Sequence, residues 1–266
     1  MGGSNGRAVS VKPSLYYHGK KTSTIQALHG FGGDGEDFVL VQTASNFDWC
    51  AMDLLGHGAS PKSMNPDDYT VQSQAEMVSS QVHGEIVLGY SMGARLALQA
   101  VLQYPSIWKG LILISGTAGL QEGRSKRKVW DQALADRLQT STRTDFWQYW
   151  SQVPIIQSQS RIEEEFRIQR EKRRQKTDLN SLAASVLGFG AGIMPSVWHR
   201  LHEVRVPVLL IVGEEDQKYQ VLAKKLDKEF LDSQLHVVAN AGHAPHMEQP
   251  TMVANIIDGW INTLHR

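Results

Sequence analysis

Ser91, Asp216 and His243 are the residues whose types and positions could do chemistry together. A serine hydroxyl alone is a poor nucleophile and a poor base. It becomes reactive when an imidazole lies within hydrogen-bond reach and a carboxylate fixes that imidazole's tautomer. Ser91 stands in Gly89-Tyr90-Ser91-Met92-Gly93, after the apolar run Ile86-Val87-Leu88 and before the helical pattern Ala94-Arg95-Leu96-Ala97-Leu98. A Gly-x-Ser-x-Gly at a strand-to-helix turn is the setting of a nucleophile elbow, whose glycines let a strained turn close and lift the hydroxyl above a sheet edge. Asp216 lies three residues beyond Gly213 at the end of an apolar run, and His243 falls in Ala241-Gly242-His243-Ala244-Pro245-His246. His243 is preferred to His246 because it directly follows the loop's glycine. The bland alternatives are a solvated acidic turn for Glu214, Glu215 and Asp216, and packing or capping roles for the histidines. His57, in Gly56-His57-Gly58, reads as a turn histidine.

Two further features would serve a reacting serine. His29-Gly30-Phe31-Gly32-Gly33 leaves backbone N–H groups unshielded, so Phe31 and Met92 are the candidate donors of an oxyanion hole, the alternative being a flexible turn. Arg95 follows Ser91 by one helical turn and shares its face. An unpaired buried guanidinium is costly, so Arg95 is expected to meet an anionic substrate, or else a structural acid.

The elements that must position these residues alternate in type. Strands are expected over Ser14–His18, Thr24–Leu28, Trp49–Leu54, Glu85–Gly89, Gly110–Ser115, Val206–Gly213 and Gln234–Val238. The first two are separated by the turn-like Gly19-Lys20-Lys21. Helices are expected over Thr70–Gln81, with Asp67-Asp68 as its cap region, from the elbow to Tyr104 before Pro105, over Tyr219–Phe230, and over Thr251–Leu264. This rhythm predicts an α/β fold with a mostly parallel, right-handed doubly wound sheet. Between Gly119 and Val204 the rhythm stops and the chain is helical. The division expected is a core of residues 1–118 and 204–266 with a helical lid inserted at 119–203.

Residues 121–203 hold 14 Lys+Arg against 10 Asp+Glu, so the lid is basic within a chain whose 27 Lys+Arg balance 27 Asp+Glu. Arg167, Arg170 and Arg174 share a helix face, although Glu163 and Arg167 could form an i,i+4 pair in a merely solvated helix. Trp130, Trp147, Tyr149 and Trp150 could be lid core. The neutral balance gives no reason to expect nucleic acid or an anionic membrane as partner. The lone cysteine, Cys50, excludes an internal disulfide framework and a cysteine zinc cluster, and reads as strand core. Residues 1–10 are Gly/Ser-rich without an apolar signal segment, and no stretch reaches membrane-span length, so a soluble, cytoplasmic protein is expected.

His29-Gly30-Phe31-Gly32, the elbow, and Gly242-His243 with Glu248 and Pro250 nearby resemble the α/β-hydrolase superfamily over essentially the whole chain; Ser, Asp, His is also its triad order. More narrowly, Gly89–Arg95, Gly119–Glu122, Phe146–Pro154 and Gly213–Tyr219 resemble 2-succinyl-6-hydroxy-2,4-cyclohexadiene-1-carboxylate synthases of menaquinone and phylloquinone biosynthesis. That resemblance implies a lyase expelling pyruvate from a polycarboxylated cyclohexene, with no metal or cofactor. It implies Ser91, Asp216 and His243 as triad, Tyr90 as a hydroxyl donor beside the serine, Arg95, Arg127 and Arg174 as carboxylate binders, and Trp150 in the pocket wall. Arg173 is the alternative to Arg174, one residue of slip away. Ala94 departs from the family's glycine, which implies tighter helix packing. The rivals are a serine esterase, thioesterase or C–C hydrolase, and a non-enzymatic ligand-binding member of the fold.

Overall fold

The computed structural model describes residues 12–19 and 24–264. The Gly/Ser-rich residues 1–10 and the Lys20-Lys21 part of the expected turn lie outside the described residues.

Strand β1 (Leu15–His18) precedes β2 (Ile25–Leu28); a 3₁₀ turn at Gly35–Phe38 leads into α1 (Val39–Ala44) and then β3 (Trp49–Met52). A second 3₁₀ turn, Pro66–Tyr69, precedes α2 (Val71–Ser80), β4 (Ile86–Tyr90), α3 (Met92–Gln103) and β5 (Gly110–Ile114). Four helices follow: α4 (Arg124–Thr140), α5 (Arg143–Ser151), α6 (Glu164–Arg174) and α7 (Leu179–Phe189), with a 3₁₀ strap at Pro154–Arg161 between α5 and α6. The sheet resumes with β6 (Val208–Gly213), α8 (Gln217–Glu229) and β7 (Ser233–Val238), and the chain closes with α9 (Pro245–Glu248) and α10 (Pro250–Leu264).

The seven strands form one sheet in the order β1-β3-β2-β4-β5-β6-β7, parallel except for β1 against β3. Its central strands are apolar along both faces, as a sheet covered on two sides requires. Residues of α2, α3 and α8 pack on one face, and those of α1, α9 and α10 on the other. Cys50 is buried in β3. The lid keeps a third apolar cluster of its own, built from Leu134, Leu138, Phe146, Trp147, Trp150 and Leu182 among others, with Phe31 packed against both it and the sheet core.

Several boundaries differ from expectation for local reasons. Asp67 and Asp68 do not cap α2: Pro66 starts a separate 3₁₀ turn capped by Asn65, and Thr70 Oγ1 accepts from Ser73 N at 3.2 Å to cap the helix. Helix α8 begins at Gln217 rather than Tyr219, because Asp216 Oδ1 accepts from Tyr219 N at 3.2 Å and so acts as its N-cap. Strand β3 ends at Met52, two residues early, where Asp53 turns to bond the Gly35 and Ala59 amides at 2.7 Å each.

Candidate active site

The elbow is strained where it matters. Ser91 takes φ 52° and ψ −103°, between the last residue of β4 and the first of α3. The turn is possible because its glycines lie against backbone: a Cβ at Gly93 would collide with the Leu28 carbonyl, and one at Gly89 with Gly93 itself. Ala94 is buried beside Gly116, whose missing Cβ makes room for it.

His243 lies between the other two candidates. An ionised carboxylate only accepts, so His243 Nδ1–H donates to Asp216 Oδ2 at 2.6 Å, leaving Nε2 to accept from Ser91 Oγ at 3.0 Å. Tyr219, on the first turn of α8, lays its ring 4.6 Å from the imidazole. His246 is elsewhere. It is fully buried 4.4 Å from the Tyr90 ring and 5.1 Å from Phe38, and neither ring nitrogen has a partner among the described residues. Burial pushes its pKa down to about 3. Below its ordinary pKa an unfolded His246 binds a proton that the folded one excludes, so its stability share is present above about pH 6.5 and lost as pH falls towards 3. His246→Leu is therefore expected to hold or raise stability at neutral pH, soften the loss on acidification and leave Ser91 reactive; thermal denaturation from about pH 7 to about pH 4 checks this.

The glycine-rich loop after β2 sits over the serine. Gly30 packs against Tyr90 and the Ser91 Cβ, and its carbonyl accepts from His29 Nδ1 at 2.7 Å and from Gly33 N at 3.1 Å. The N–H groups of Phe31 and of Met92, the first residue of α3, have no intrachain acceptor among the described residues. Both remain available to an oxyanion.

Ser91 opens into a cavity of about 1160 Å³ between sheet and lid, lined also by Phe31, Tyr90, Arg95, Arg127, Trp150 and Arg174. The arginines there differ sharply in their partners. Arg95 Nη1 donates to the Phe189 carbonyl at 3.1 Å and contacts Met194 Sδ at 2.9 Å, with no carboxylate paired to it among the described residues. Burial drives its pKa down to about 10. Arg174 lies over the Trp147 ring at 4.6 Å with its Nε unpartnered among the described residues, and burial, then the neighbouring Arg170 charge, push its pKa down to about 9. Each faces the cavity on one side and protein elsewhere, and each stays cationic at neutral pH. Arg127 is different: it pairs with Asp131 at 2.7 Å and lies over Trp130, so it reaches the cavity already neutralised.

Of the other lid arginines, Arg173 is consumed by Asp34 (2.8 Å), Glu36 (3.2 Å) and Asp37 (3.4 Å), and so is the structural member of the Arg173/Arg174 pair. Arg170 grips buried Asp37 with two bonds of 2.9 Å. Burial alone would raise the Asp37 carboxyl, but Arg170 outweighs it and holds the pKa low. Arg167 donates to the Ile162 carbonyl at 2.9 Å instead of pairing with Glu163. The Tyr90 hydroxyl, buried and pushed up in pKa by that burial, lies 3.4 Å from Gln159 Nε2, and Gln159 Oε1 accepts from Arg170 at 2.7 Å. Tyr90 thus joins a lid network as well as lining the cavity. Trp147 and Trp150 are lid core, Trp150 also meeting Phe31 edge-on at 5.1 Å, while Trp130 is exposed. His57 is buried in its turn, its Nδ1 bonded to the Leu55 carbonyl at 2.9 Å.

Sequence reasoning missed Gln159 and Tyr219. Nothing marks Gln159 in a strap without periodicity, whereas Tyr219's spacing of three from Asp216, one helical turn, was a usable signal. Among the described residues no cluster of His, Cys, Asp or Glu is placed to hold a metal ion, and no helix is long and apolar enough to cross a membrane.

A profile described as the alpha/beta hydrolase family matches residues 27–256. A Bacillus subtilis (strain 168) protein named putative 2-succinyl-6-hydroxy-2,4-cyclohexadiene-1-carboxylate synthase is 31% identical over 251 residues, covering 91% of this chain and 92% of its own. The Salmonella typhimurium protein named for the same synthase is 28% identical over 245 residues, covering 89% and 92%. Among solved structures, MenH from S. aureus superposes with a TM-score of 0.84 at 27% identity, over 95% of this chain and 99% of that one. A malate-bound thermophilic esterase from Thermogutta terrifontis, at 22% identity and a TM-score of 0.75 over 96% and 95% of the two chains, shares the fold.

Proposed function

The chain belongs to the alpha/beta hydrolase family and, within it, to the 2-succinyl-6-hydroxy-2,4-cyclohexadiene-1-carboxylate synthases, and from that premise we propose that it is the lyase of menaquinone or phylloquinone biosynthesis that eliminates pyruvate from 2-succinyl-5-enolpyruvyl-6-hydroxy-3-cyclohexene-1-carboxylate. One observation carries the choice of substrate: Arg95 and Arg174, two cavity-facing guanidinium groups without carboxylate partners among the described residues, stand around a serine–histidine–aspartate line. Buried unpaired cations are costly, and a polycarboxylate compensates them with bidentate bonds that also orient it.

In this reading Asp216 holds His243 as the Nδ1–H tautomer, and His243 Nε2 takes the Ser91 proton as Ser91 Oγ removes the ring hydrogen α to the succinyl carbonyl. The C–H electron pair becomes the new ring double bond, the existing ring double bond shifts one position, and the ring C–O bond breaks. The enolpyruvyl group leaves as an enolate, recovers the proton from His243 and tautomerises to pyruvate. The N–H groups of Phe31 and Met92 hold the charge that gathers on the succinyl oxygen. Ser91 forms no covalent bond.

Pyruvate release from that intermediate, followed with lactate dehydrogenase, tests the proposal. Stoichiometric pyruvate with slow turnover of p-nitrophenyl acetate is expected. Rapid ester hydrolysis without pyruvate would replace it with the serine esterase, thioesterase or C–C hydrolase reading.

A further inference from the structure

Two tyrosines line the cavity, Tyr90 and Tyr219, and they use their hydroxyls differently. The Tyr90 hydroxyl is buried in the network of Gln159 and Arg170. The Tyr219 hydroxyl has no hydrogen-bond partner among the described residues, and its oxygen is open rather than sealed in protein. The residue carrying it is nevertheless held in place. Asp216 Oδ1 accepts from the Tyr219 amide at 3.2 Å while Asp216 Oδ2 accepts from His243 Nδ1 at 2.6 Å, and the phenol ring lies 4.6 Å from the imidazole at 57°. One carboxylate therefore fixes the phenol and the imidazole relative to each other. Burial, with Asp216 adding to it, holds the Tyr219 hydroxyl above its ordinary pKa against the pull of the Arg95 and Arg127 cations. It stays a neutral O–H, which can donate to an anion that a phenolate would repel. Arg95 supplies the complementary half. Both of its protein contacts, to the Phe189 carbonyl and Met194 Sδ, are made by Nη1, so Nε and Nη2 have no partner among the described residues. A carboxylate meets such a fork with two parallel bonds. It offers about four lone-pair positions, which leaves room for a third donor.

From the open hydroxyl, its fixed ring and the unoccupied donors of Arg95 we infer that Tyr219 is a substrate-contacting residue whose O–H donates to the same carboxylate that Arg95 receives. The contact rests on the lyase reading for its substrate. Ring and hydroxyl then have separate duties. The ring packs on His243 and serves any chemistry that Ser91 and His243 perform, whereas the hydroxyl serves recognition of an anion. A hydrogen bond to a carboxylate is roughly twice as strong as one to a neutral oxygen, so Tyr219 favours a substrate bearing the carboxylate over an ester or amide at the same place.

The test compares the full-length parent, Tyr219→Phe, Arg95→Met and the double variant by pyruvate release, with Tm and the rate of Ser91 modification by a fluorophosphonate, read by intact mass, for each. Tyr219→Phe keeps the ring and removes only the oxygen. It is expected to raise KM about tenfold with little change in kcat, the size of one hydrogen bond to a charged group. Its Tm and its rate of Ser91 modification should be parental, because the fluorophosphonate needs the serine and histidine but no carboxylate site. The double variant is expected to raise KM by less than the product of the two single effects, since both donors serve one carboxylate. A Tyr219→Phe protein with parental KM overturns the contact. Modification of Ser91 slowed as much as turnover also overturns it, by placing the hydroxyl's effect on His243, and a double variant whose effects multiply overturns the shared carboxylate. A parent that releases no pyruvate overturns the lyase reading and the substrate contact with it.

Discussion

Ser91→Ala is expected to release pyruvate about 10²–10⁴-fold more slowly than the parent, the range that a positioned base supplies. The protein should fold normally, because among the described residues Ser91 spends its side chain on His243 alone and a small residue already occupies a strained turn there. His243→Ala should cost a comparable amount, and the double variant little more than either, because residues acting as one unit are not additive. Steady-state pyruvate assays measure all three. Intact-mass spectra under turnover add the distinction between base and nucleophile: no adduct on Ser91 is expected, and an accumulating acyl-enzyme would assign it to covalent catalysis. Near-parental turnover by Ser91→Ala would remove the serine from the chemistry altogether.

The second large effect is expected at Arg174. Arg174→Met should raise KM about 10- to 100-fold, corresponding to loss of a charge-assisted bond to a substrate carboxylate. Folding stability should stay level or rise, because the change removes a half-buried guanidinium whose surroundings push its pKa down to about 9 and that has no carboxylate partner among the described residues. Arg95→Met should follow the same pattern from the elbow side. Arg173→Met should do the reverse: with Asp34 and Asp37 deprived of a partner, Tm should fall while KM moves little. Thermal denaturation beside KM for the three variants separates binding from structural arginines. An Arg174→Met protein with parental KM would remove Arg174 from the substrate site.

The strand and helix rhythm was readable because apolar runs and helical periodicity are local properties, and the elbow because its five residues stand together and Gly89 is demanded by Gly93 within them, although the contact that demands Gly93 is with the distant Leu28 carbonyl. Which of His243 and His246 meets Ser91 was not local. They lie three residues apart in one loop, and only the start of α9 at Pro245 turns the second away into the core against Tyr90 and Phe38. The lid arginines show the same limit. Arg170, Arg173 and Arg174 lie within one and a half turns of α6, yet the first two are claimed by Asp34 and Asp37, residues more than 130 positions away in the turn after the glycine loop. No helical wheel contains those partners. Arg127 was similarly legible as a cation and not as one already met by Asp131, although that spacing of four could have shown it.

The lid's separate apolar cluster bears on how such proteins diversify. Leu134, Phe146, Trp147 and Leu182 are packed among themselves, whereas Ile162, Phe166, Ala184 and Phe189 of the same inserted segment join the two clusters of the sheet. Cavity-lining residues of the first cluster, Leu134, Trp150 and Val186, can therefore change without repacking the sheet that carries Ser91, Asp216 and His243, and Phe189 cannot. New substrates can then be recruited to an unchanged sheet by substitutions confined to that cluster.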